Sequence, residues 1–147
     1  MGFPGHPDSI PEALGIRLSG CVIHGDKRGR KLGFPTANLL VPAGAELPPD
    51  GVYSCLVWLT GEDAHLGATA SVGNNPTFDD VRERRVEIYI HDFDRTLYGQ
   101  EIKICLVARL RDMRRFSGLD DLIGQTERDV AQSRAMLERY ALIGPRP

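Results

Sequence analysis

The alternation of apolar and polar positions along the chain predicts a protein built mainly from β-strands. The clearest case is residues 84–93, where Val86, Ile88 and Ile90 share one face and polar or aromatic side chains share the other. Similar stretches, separated by Gly, Pro and Asn turns, occur at 18–25, 37–41, 51–60, 66–73 and 100–110. Five or six strands at this spacing predict a small antiparallel barrel or sandwich.

After Phe116 the period changes from that of a strand to that of a helix. Charges fall on one face, and the other face carries Leu119, Leu122, Ile123, Thr126, Val130, Ser133, Leu137 and Tyr140 or Ala141. Ser117 followed by Asp120 resembles a capping box, and Gly144-Pro145 is a helix stop signal. The pattern predicts one long amphipathic helix that packs on the barrel.

Composition predicts a single soluble globular domain. The chain has 147 residues, of which 41% are hydrophobic and 26% are charged. Residues 1–15 are rich in proline and lack periodicity, so we expect a loose lead-in or linker remnant there and one domain over 16–143. A net charge of −2 gives no global attraction to nucleic acid or to a membrane.

Cysteine and histidine usage favours a reduced, cytoplasmic protein. Cys21, Cys55 and Cys105 form no C-x-x-C pair, and two of them lie inside apolar runs, so buried reduced thiols are expected. The four histidines form no zinc-binding motif. Since neither a signal peptide nor a membrane-length apolar run is recognisable, we expect a cytoplasmic protein.

Residues 25–38 are the first candidate for chemistry, because glycines and cationic side chains are concentrated there. They form neither a Walker A loop nor a Rossmann fingerprint. Two interpretations are open, a surface hairpin with solvated charges or a phosphate-binding loop. Thr36 and Asn38 lie two residues apart and can present two oxygens to a metal ion, although an ordinary turn-forming pair has the same composition.

Glu87 is the second candidate, a carboxylate in the middle of a strand and opposite its apolar face. It is either a solvated outer carboxylate or a general base that accepts a proton from an attacking hydroxyl. Arg109, Arg111, Arg114 and Arg115 lead to Phe116 and form a short basic, aromatic-tipped stretch. Nucleic-acid binding uses such stretches, but the acidic overall charge disfavours it here.

Taken together and in this order, the motifs resemble those of the riboflavin kinase family, and closely the kinase module that ends bifunctional bacterial FAD synthetases. They are G-x-x-x-G-R-x-L-G-F-P-T-A-N at 25–38, P-x-x-G-V-Y at 48–53, V-G-x-N-P-T-F at 72–78, R-R-V-E at 84–87, D-F and L-Y-G within 92–99, and R-L-R followed by Phe116. The resemblance implies a six-stranded Greek-key barrel with a C-terminal helix. It also implies ATP-dependent phosphorylation of the riboflavin ribityl 5′-hydroxyl, with FMN and ADP as products.

The resemblance also implies a role for individual residues. Glu87 would be the catalytic base, and Thr36 and Asn38 would hold Mg²⁺. The ATP side would comprise Gly25, Asp26, Lys27, Gly29, Arg30, Thr36, Asn38, Ile90, Asp92 and Tyr98. The flavin side would comprise Arg111, Arg114 and Phe116.

Two positions depart from the family pattern near the expected flavin loop. Met113 stands where the family usually has a glutamate, and Thr96 replaces a common acidic residue. The adenylyltransferase module of the bifunctional enzymes has no counterpart in these residues, so we expect no conversion of FMN to FAD. Small molecules are the expected partners, with neither nucleic acid nor membrane, and with an adenylyltransferase module if this is an excised domain.

Overall fold

Six β-strands and one helix make up the part of the chain that the computed structural model describes, which is residues 14–23, 36–41, 46–62, 64–74, 84–93 and 95–140. The elements are β1 (Ile16–Ile23), β2 (Ala37–Leu40), β3 (Gly51–Leu59), β4 (His65–Asn74), β5 (Arg84–Ile90), β6 (Glu101–Arg111) and α1 (Leu119–Arg139). All six predicted strands are present, with boundaries that differ by up to three residues.

The strands close into a barrel in the order β1-β2-β5-β4-β3-β6. Every neighbouring pair is antiparallel. The strands β3, β4 and β5 follow one another as hairpins, and β6 returns to lie beside β3, which is the Greek-key arrangement. The mainly β prediction, the six-stranded closed barrel and the single C-terminal helix are therefore confirmed.

Alternation decides which side chains fill the barrel. On β5, for example, Val86, Ile88 and Ile90 are at most 4% exposed and belong to the interior cluster. Glu87 lies between two of them and therefore points to the outer face. Gly20 on β1 is required by close packing, because a Cβ there would lie 2.1 Å from the carbonyl oxygen of Leu40.

The helix α1 packs on the outer face of β3, β4 and β6. Leu137 is fully buried in a second apolar cluster with Leu56 and Val107. One turn earlier, the Ser133 hydroxyl donates a hydrogen bond of 2.9 Å to the carbonyl oxygen of Ala68. These contacts fix the position of the helix relative to β4 and β6.

The start of the helix differs from the prediction. Gly118 is the N-cap residue and makes no side-chain capping bond, so the capping box of Ser117 with Asp120 is wrong. Asp121 instead accepts hydrogen bonds from the backbone N–H of Ser117 (3.0 Å) and from its hydroxyl (3.3 Å). The helix thus begins one residue later than predicted, with Gly118 in place of Ser117 as the N-cap. The carboxylate three residues after the N-cap is correspondingly that of Asp121 and not that of Asp120. The stop signal at residues 144–145 lies outside the described residues.

The cysteines agree with the expectation of reduced thiols. All three are free. Cys55 and Cys105 are buried as expected, whereas Cys21 is only partly buried. Burial raises the pKa of the Cys55 thiol, because the charged thiolate would be desolvated. Among the described residues, no helix has the length and apolar character needed to cross a membrane.

Candidate active site

A polar row crosses three neighbouring strands on the outer face of the barrel. Glu87 on β5 is paired directly with Asn38 on β2 at one side and with Ser71 on β4 at the other. The chain neighbours of all three residues belong to the barrel interior, which sets their own side chains outside. Side chains at paired positions lie about 5 Å apart at Cβ, so the half-buried carboxylate has a polar group on each side.

Asn38 and Thr36 supply neutral oxygens at the β2 end of this row. Asn38 is only 6% exposed although it is on the outer face, and Thr36 comes just before the first residue of β2. Amide and hydroxyl oxygens are ligands that Mg²⁺ accepts, especially when phosphate groups bring the negative charge. The donor set therefore fits a magnesium ion that arrives with a nucleotide. Among the described residues, no three His, Cys, Asp or Glu side chains gather as a protein-only metal site would require.

The segment that joins β6 to the helix, residues 112–118, reaches the other end of the row. The Ser71 hydroxyl lies 3.6 Å from the thioether sulfur of Met113, close enough for a weak hydrogen bond. A Cβ at Gly73 would lie 3.4 Å from Cγ of Met113. An apolar side chain thus covers the β4 strand next to the residue that is paired with Glu87.

Two arginines of this region are paired with carboxylates of the helix. Arg111 bonds Asp129 through both Nε and Nη2, each at 2.8 Å. Arg114 bonds Asp121 through Nη2 at 2.6 Å and through Nη1 at 3.2 Å. The ring of Phe116 lies under both guanidinium groups, 4.6 Å from that of Arg114 and 6.0 Å from that of Arg111. The three residues predicted for the flavin side are therefore in one cluster.

The surroundings of Asp121 favour the charged form of its carboxyl group. The hydrogen bond from the Ser117 backbone, followed by the charge of Arg114, lowers the pKa of its carboxyl below the ordinary value of 3.8. The carboxylate therefore remains charged to lower pH than an isolated aspartate, and the contact between residue 114 and the helix persists accordingly.

Three of the predicted nucleotide residues are not members of the polar row. Ile90 is 4% exposed and packs in the barrel interior. Asp92 follows β5 in a left-handed conformation (φ 56°), and its carboxylate pairs with Arg134 at 2.9 Å. Tyr98 is 42% exposed, in a turn that is attached to β1 by a hydrogen bond of 2.9 Å from the Gly99 N–H to the Val22 carbonyl oxygen. The structure brings Glu87 and Asn38 together but does not bring these three into the same row.

The glycine-rich part of the predicted nucleotide site lies outside the described residues. It comprises Gly25, Asp26, Lys27, Gly29 and Arg30. The segment connects β1 to β2, and Ile23, the last residue of β1, is paired with Asn38. Ile23, the last described residue before this segment, is therefore next to the polar row.

Sequence patterns did not single out Ser71, Asp129 or Gln125. Ser71 has the outward position of an ordinary strand residue, and only strand register shows that it is paired with Glu87. Asp129 falls among the charged positions of the helix and is nevertheless 5% exposed. For Asp129, the available signal was the series of arginines that begins at the end of β6, since closely spaced arginines need acidic partners when they are partly buried.

Comparisons with known proteins show the family of the chain. The flavokinase family model, described as riboflavin kinase, matches residues 14–137. A bifunctional riboflavin kinase/FMN adenylyltransferase of Listeria monocytogenes is 44% identical over 82% of the chain and 38% of its own length. The chain thus spans less than two fifths of that relative.

Two solved structures show the same architecture. One, from Streptococcus pneumoniae and described as a macrolide-efflux protein, has a TM-score of 0.73 at 37% identity, over 82% of this chain and 38% of its own. The riboflavin kinase of Trypanosoma brucei has a TM-score of 0.54 at 27% identity, over 83% of this chain and 76% of its own.

The closed barrel, its C-terminal helix and these matches define the chain as a domain of an enzyme family. More narrowly, the chain belongs to the riboflavin kinase family.

Proposed function

We propose that this chain is a riboflavin kinase that transfers the γ-phosphoryl group of ATP to the 5′-hydroxyl of the riboflavin ribityl chain. The bond from the γ-phosphorus to the ADP oxygen breaks, a bond to the ribityl oxygen forms, and FMN and ADP leave. The observation that carries the proposal is the direct pairing of Glu87 with Asn38 on adjacent strands. A proton acceptor and a neutral oxygen ligand are thereby neighbours, as phosphoryl transfer requires.

Glu87 acts as the general base in this proposal. Its carboxylate has polar neighbours in two adjacent strands, which would limit its orientation. Because it is only half-buried, a substrate hydroxyl could still reach it. It takes the proton of the 5′-hydroxyl as the oxygen attacks phosphorus, which prevents a positive charge from developing on that oxygen. Since phosphoryl transfer depends mainly on positioning and charge neutralisation, little other covalent chemistry is required of the protein.

Thr36 and Asn38 would hold Mg²⁺ through their neutral side-chain oxygens. When bound, the ion neutralises charge on the transferring group. Both protein ligands are neutral, so the phosphates supply the negative charge and the site favours the metal–nucleotide complex over the free ion. The low exposure of Asn38 keeps its amide in one orientation.

The two substrates would approach Glu87 from opposite sides. On the β2 side, the nucleotide would contact Gly25, Asp26, Lys27, Gly29 and Arg30. Ile90, Asp92 and Tyr98, which are outside the polar row, would contact it farther from Glu87. On the β4 side, riboflavin would lie against Arg111, Arg114 and Phe116, the cluster next to the Met113–Ser71 contact. In this arrangement the ribityl 5′-hydroxyl would contact the Glu87 carboxylate while its oxygen faces the γ-phosphorus, as an in-line transfer requires.

The same proposal covers the setting of the enzyme. Its kinase domain would occupy residues 16–143, its partners would be ATP and riboflavin without nucleic acid or membrane, and it would work in the cytoplasm. The relative from Listeria joins a kinase and an adenylyltransferase by name, and an adenylyltransferase module is the expected partner here if this chain is part of a longer protein.

The test is to incubate the protein with riboflavin, ATP and Mg²⁺ and to measure FMN by chromatography. Glu87→Gln keeps the size and polarity of the side chain but removes the base, so kcat should fall at least about a hundredfold while ATP binding is retained. Glu101→Gln, which changes an exposed carboxylate at the start of β6, is the matched control and should keep normal turnover. Riboflavin binding without FMN formation would instead identify a flavin sensor or carrier, and an active Glu87→Gln variant would refute the base assignment.

A further inference from the structure

The ion pair between Arg111 and Asp129 joins the end of the barrel to the helix. Arg111 is the last residue of β6, and Asp129 is on the buried face of α1 with 5% exposure. Its two parallel bonds make the pair bidentate, which fixes the direction of the arginine as well as its distance. The arginine Nη1 also donates to the carbonyl oxygen of Asp112 at 2.8 Å. The helix therefore controls the direction in which the chain leaves the barrel.

Gln125 extends this connection to the second arginine. Its Nε2 donates to Oδ1 of Asp129 at 2.9 Å, and its Oε1 accepts a hydrogen bond from Nε of Arg114 at 3.2 Å. One helix residue thus connects the carboxylate that holds Arg111 with the guanidinium of Arg114. Two anchors therefore attach the segment 112–118 to the helix. The first is Arg111, just before the segment, and the second is Arg114, in its middle.

Between these two anchors lies Met113, whose sulfur contacts the Ser71 hydroxyl. Because Ser71 is paired with Glu87, the position of Met113 relative to the polar row depends on where the anchors hold the segment. Phe116 is fixed in the same way, since its ring lies against both anchored guanidinium groups. An exposed thioether and an aromatic ring are groups that pack well on a planar, largely apolar ring system.

We propose that Asp129 is a positioning residue for the flavin substrate. Acting through Arg111, it holds residues 112–118 beside Ser71, so that Met113 and Phe116 form the wall against which the isoalloxazine ring binds. Asp129 itself touches neither substrate. The proposal rests on the proposed function, and it differs from a purely stabilising role because it predicts a selective effect on riboflavin.

The test compares wild type with Asp129→Asn, which keeps the shape of the side chain and removes its charge. The Michaelis constant for riboflavin, and the dissociation constant from quenching of riboflavin fluorescence, should rise about tenfold. Turnover at saturating riboflavin and the Michaelis constant for ATP should stay within about twofold, because Glu87 and the nucleotide side are untouched. Trypsin should also cut faster after Arg114 or Arg115, as identified by mass spectrometry, since the segment loses its anchor.

Ser133→Ala is the matched control. Ser133 is buried one turn further along the same helix face and bonds the Ala68 carbonyl, so its removal weakens helix docking without affecting the anchors. It should leave the riboflavin constants and the tryptic pattern unchanged. If Asp129→Asn unfolds the protein, Asp129→Glu takes its place, because it keeps the charge but moves the carboxylate by one methylene group and so displaces Arg111. A rise of about threefold in the riboflavin constants is then expected.

The outcomes separate this inference from the proposed function. Unchanged riboflavin binding in Asp129→Asn, or an equal change in Ser133→Ala, would overturn the positioning role. If only Asp129→Glu folds, unchanged riboflavin constants in that variant would do the same. A wild-type protein that binds riboflavin but makes no FMN would refute the kinase function, while the binding and tryptic comparisons would still decide the role of Asp129.

Discussion

At the scale of single residues, strand alternation predicts the face on which Glu87 lies but not the residue that is paired with it on the adjacent strand. The sequence 84–90 sets Glu87 on the face opposite Val86 and Ile88, which the structure confirms. That Asn38 is paired with it depends on β2 lying beside β5, a contact between strands that are far apart in the chain. The motif resemblance named both residues, whereas local periodicity alone left each with an ordinary structural interpretation.

Asn38→Ala tests the metal role at this scale. The substitution removes one neutral oxygen beside Glu87, so the Mg²⁺ concentration that gives half-maximal activity and the Michaelis constant for ATP should both rise about tenfold or more. Riboflavin binding, measured by fluorescence quenching, should change little. Because the amide is only 6% exposed, a loss of about 1 kcal/mol in the free energy of unfolding is also expected.

Ser71→Ala is the comparison for that variant, since Ser71 flanks Glu87 on the other strand. It should leave the Mg²⁺ dependence as in wild type. A normal Mg²⁺ dependence in Asn38→Ala, or the same shift in both variants, would contradict a ligand role for Asn38.

At the scale of elements, the helix shows where the hydrophobic pattern is insufficient. Its periodicity correctly predicts a long helix packed on the barrel, yet two of its three buried residues, Asp129 and Ser133, are polar. Leu119, counted on the apolar face, is 58% exposed. A buried carboxylate is tolerable only with a partner such as Arg111, and that partner comes from β6, so the helix sequence by itself could not reveal it.

The first turn of the helix gives a pH prediction. Since folding lowers the pKa of Asp121 below 3.8, the stabilisation is fully present above that pH and is lost as the pH falls through the lower folded value. NMR titration of the carboxyl should give a midpoint below 3.8. Arg114→Gln should raise this midpoint more than Ser117→Ala, because the charge of Arg114 outweighs the hydroxyl bond and the backbone N–H of residue 117 remains. The reverse order would show that the hydroxyl dominates.

At the scale of the whole molecule, closure of the barrel is the feature that strand patterns could not decide. Alternation predicts inward and outward faces equally well for a sandwich and for a barrel. The choice depends on β1 pairing with β6 and β2 with β5, and these long-range pairings come from the fold as a whole. The family resemblance supplied that information, and the confirmed barrel is what brings the β2, β5 and β4 positions of the candidate site into one row.

Leu137→Ala tests whether helix and barrel form one cooperative unit. Leu137 is fully buried against Leu56 and Val107, so its truncation should lower the free energy of unfolding by about 3 kcal/mol. Leu119→Ala, at a position that is 58% exposed, should change it by less than about 0.5 kcal/mol. Urea unfolding should be followed both by circular dichroism and by the fluorescence of Trp58, the only tryptophan in the chain, which packs against the same cluster. Coincident transitions are expected for both probes, whereas a tryptophan transition at lower urea than the loss of sheet signal would show that the helix detaches before the barrel opens.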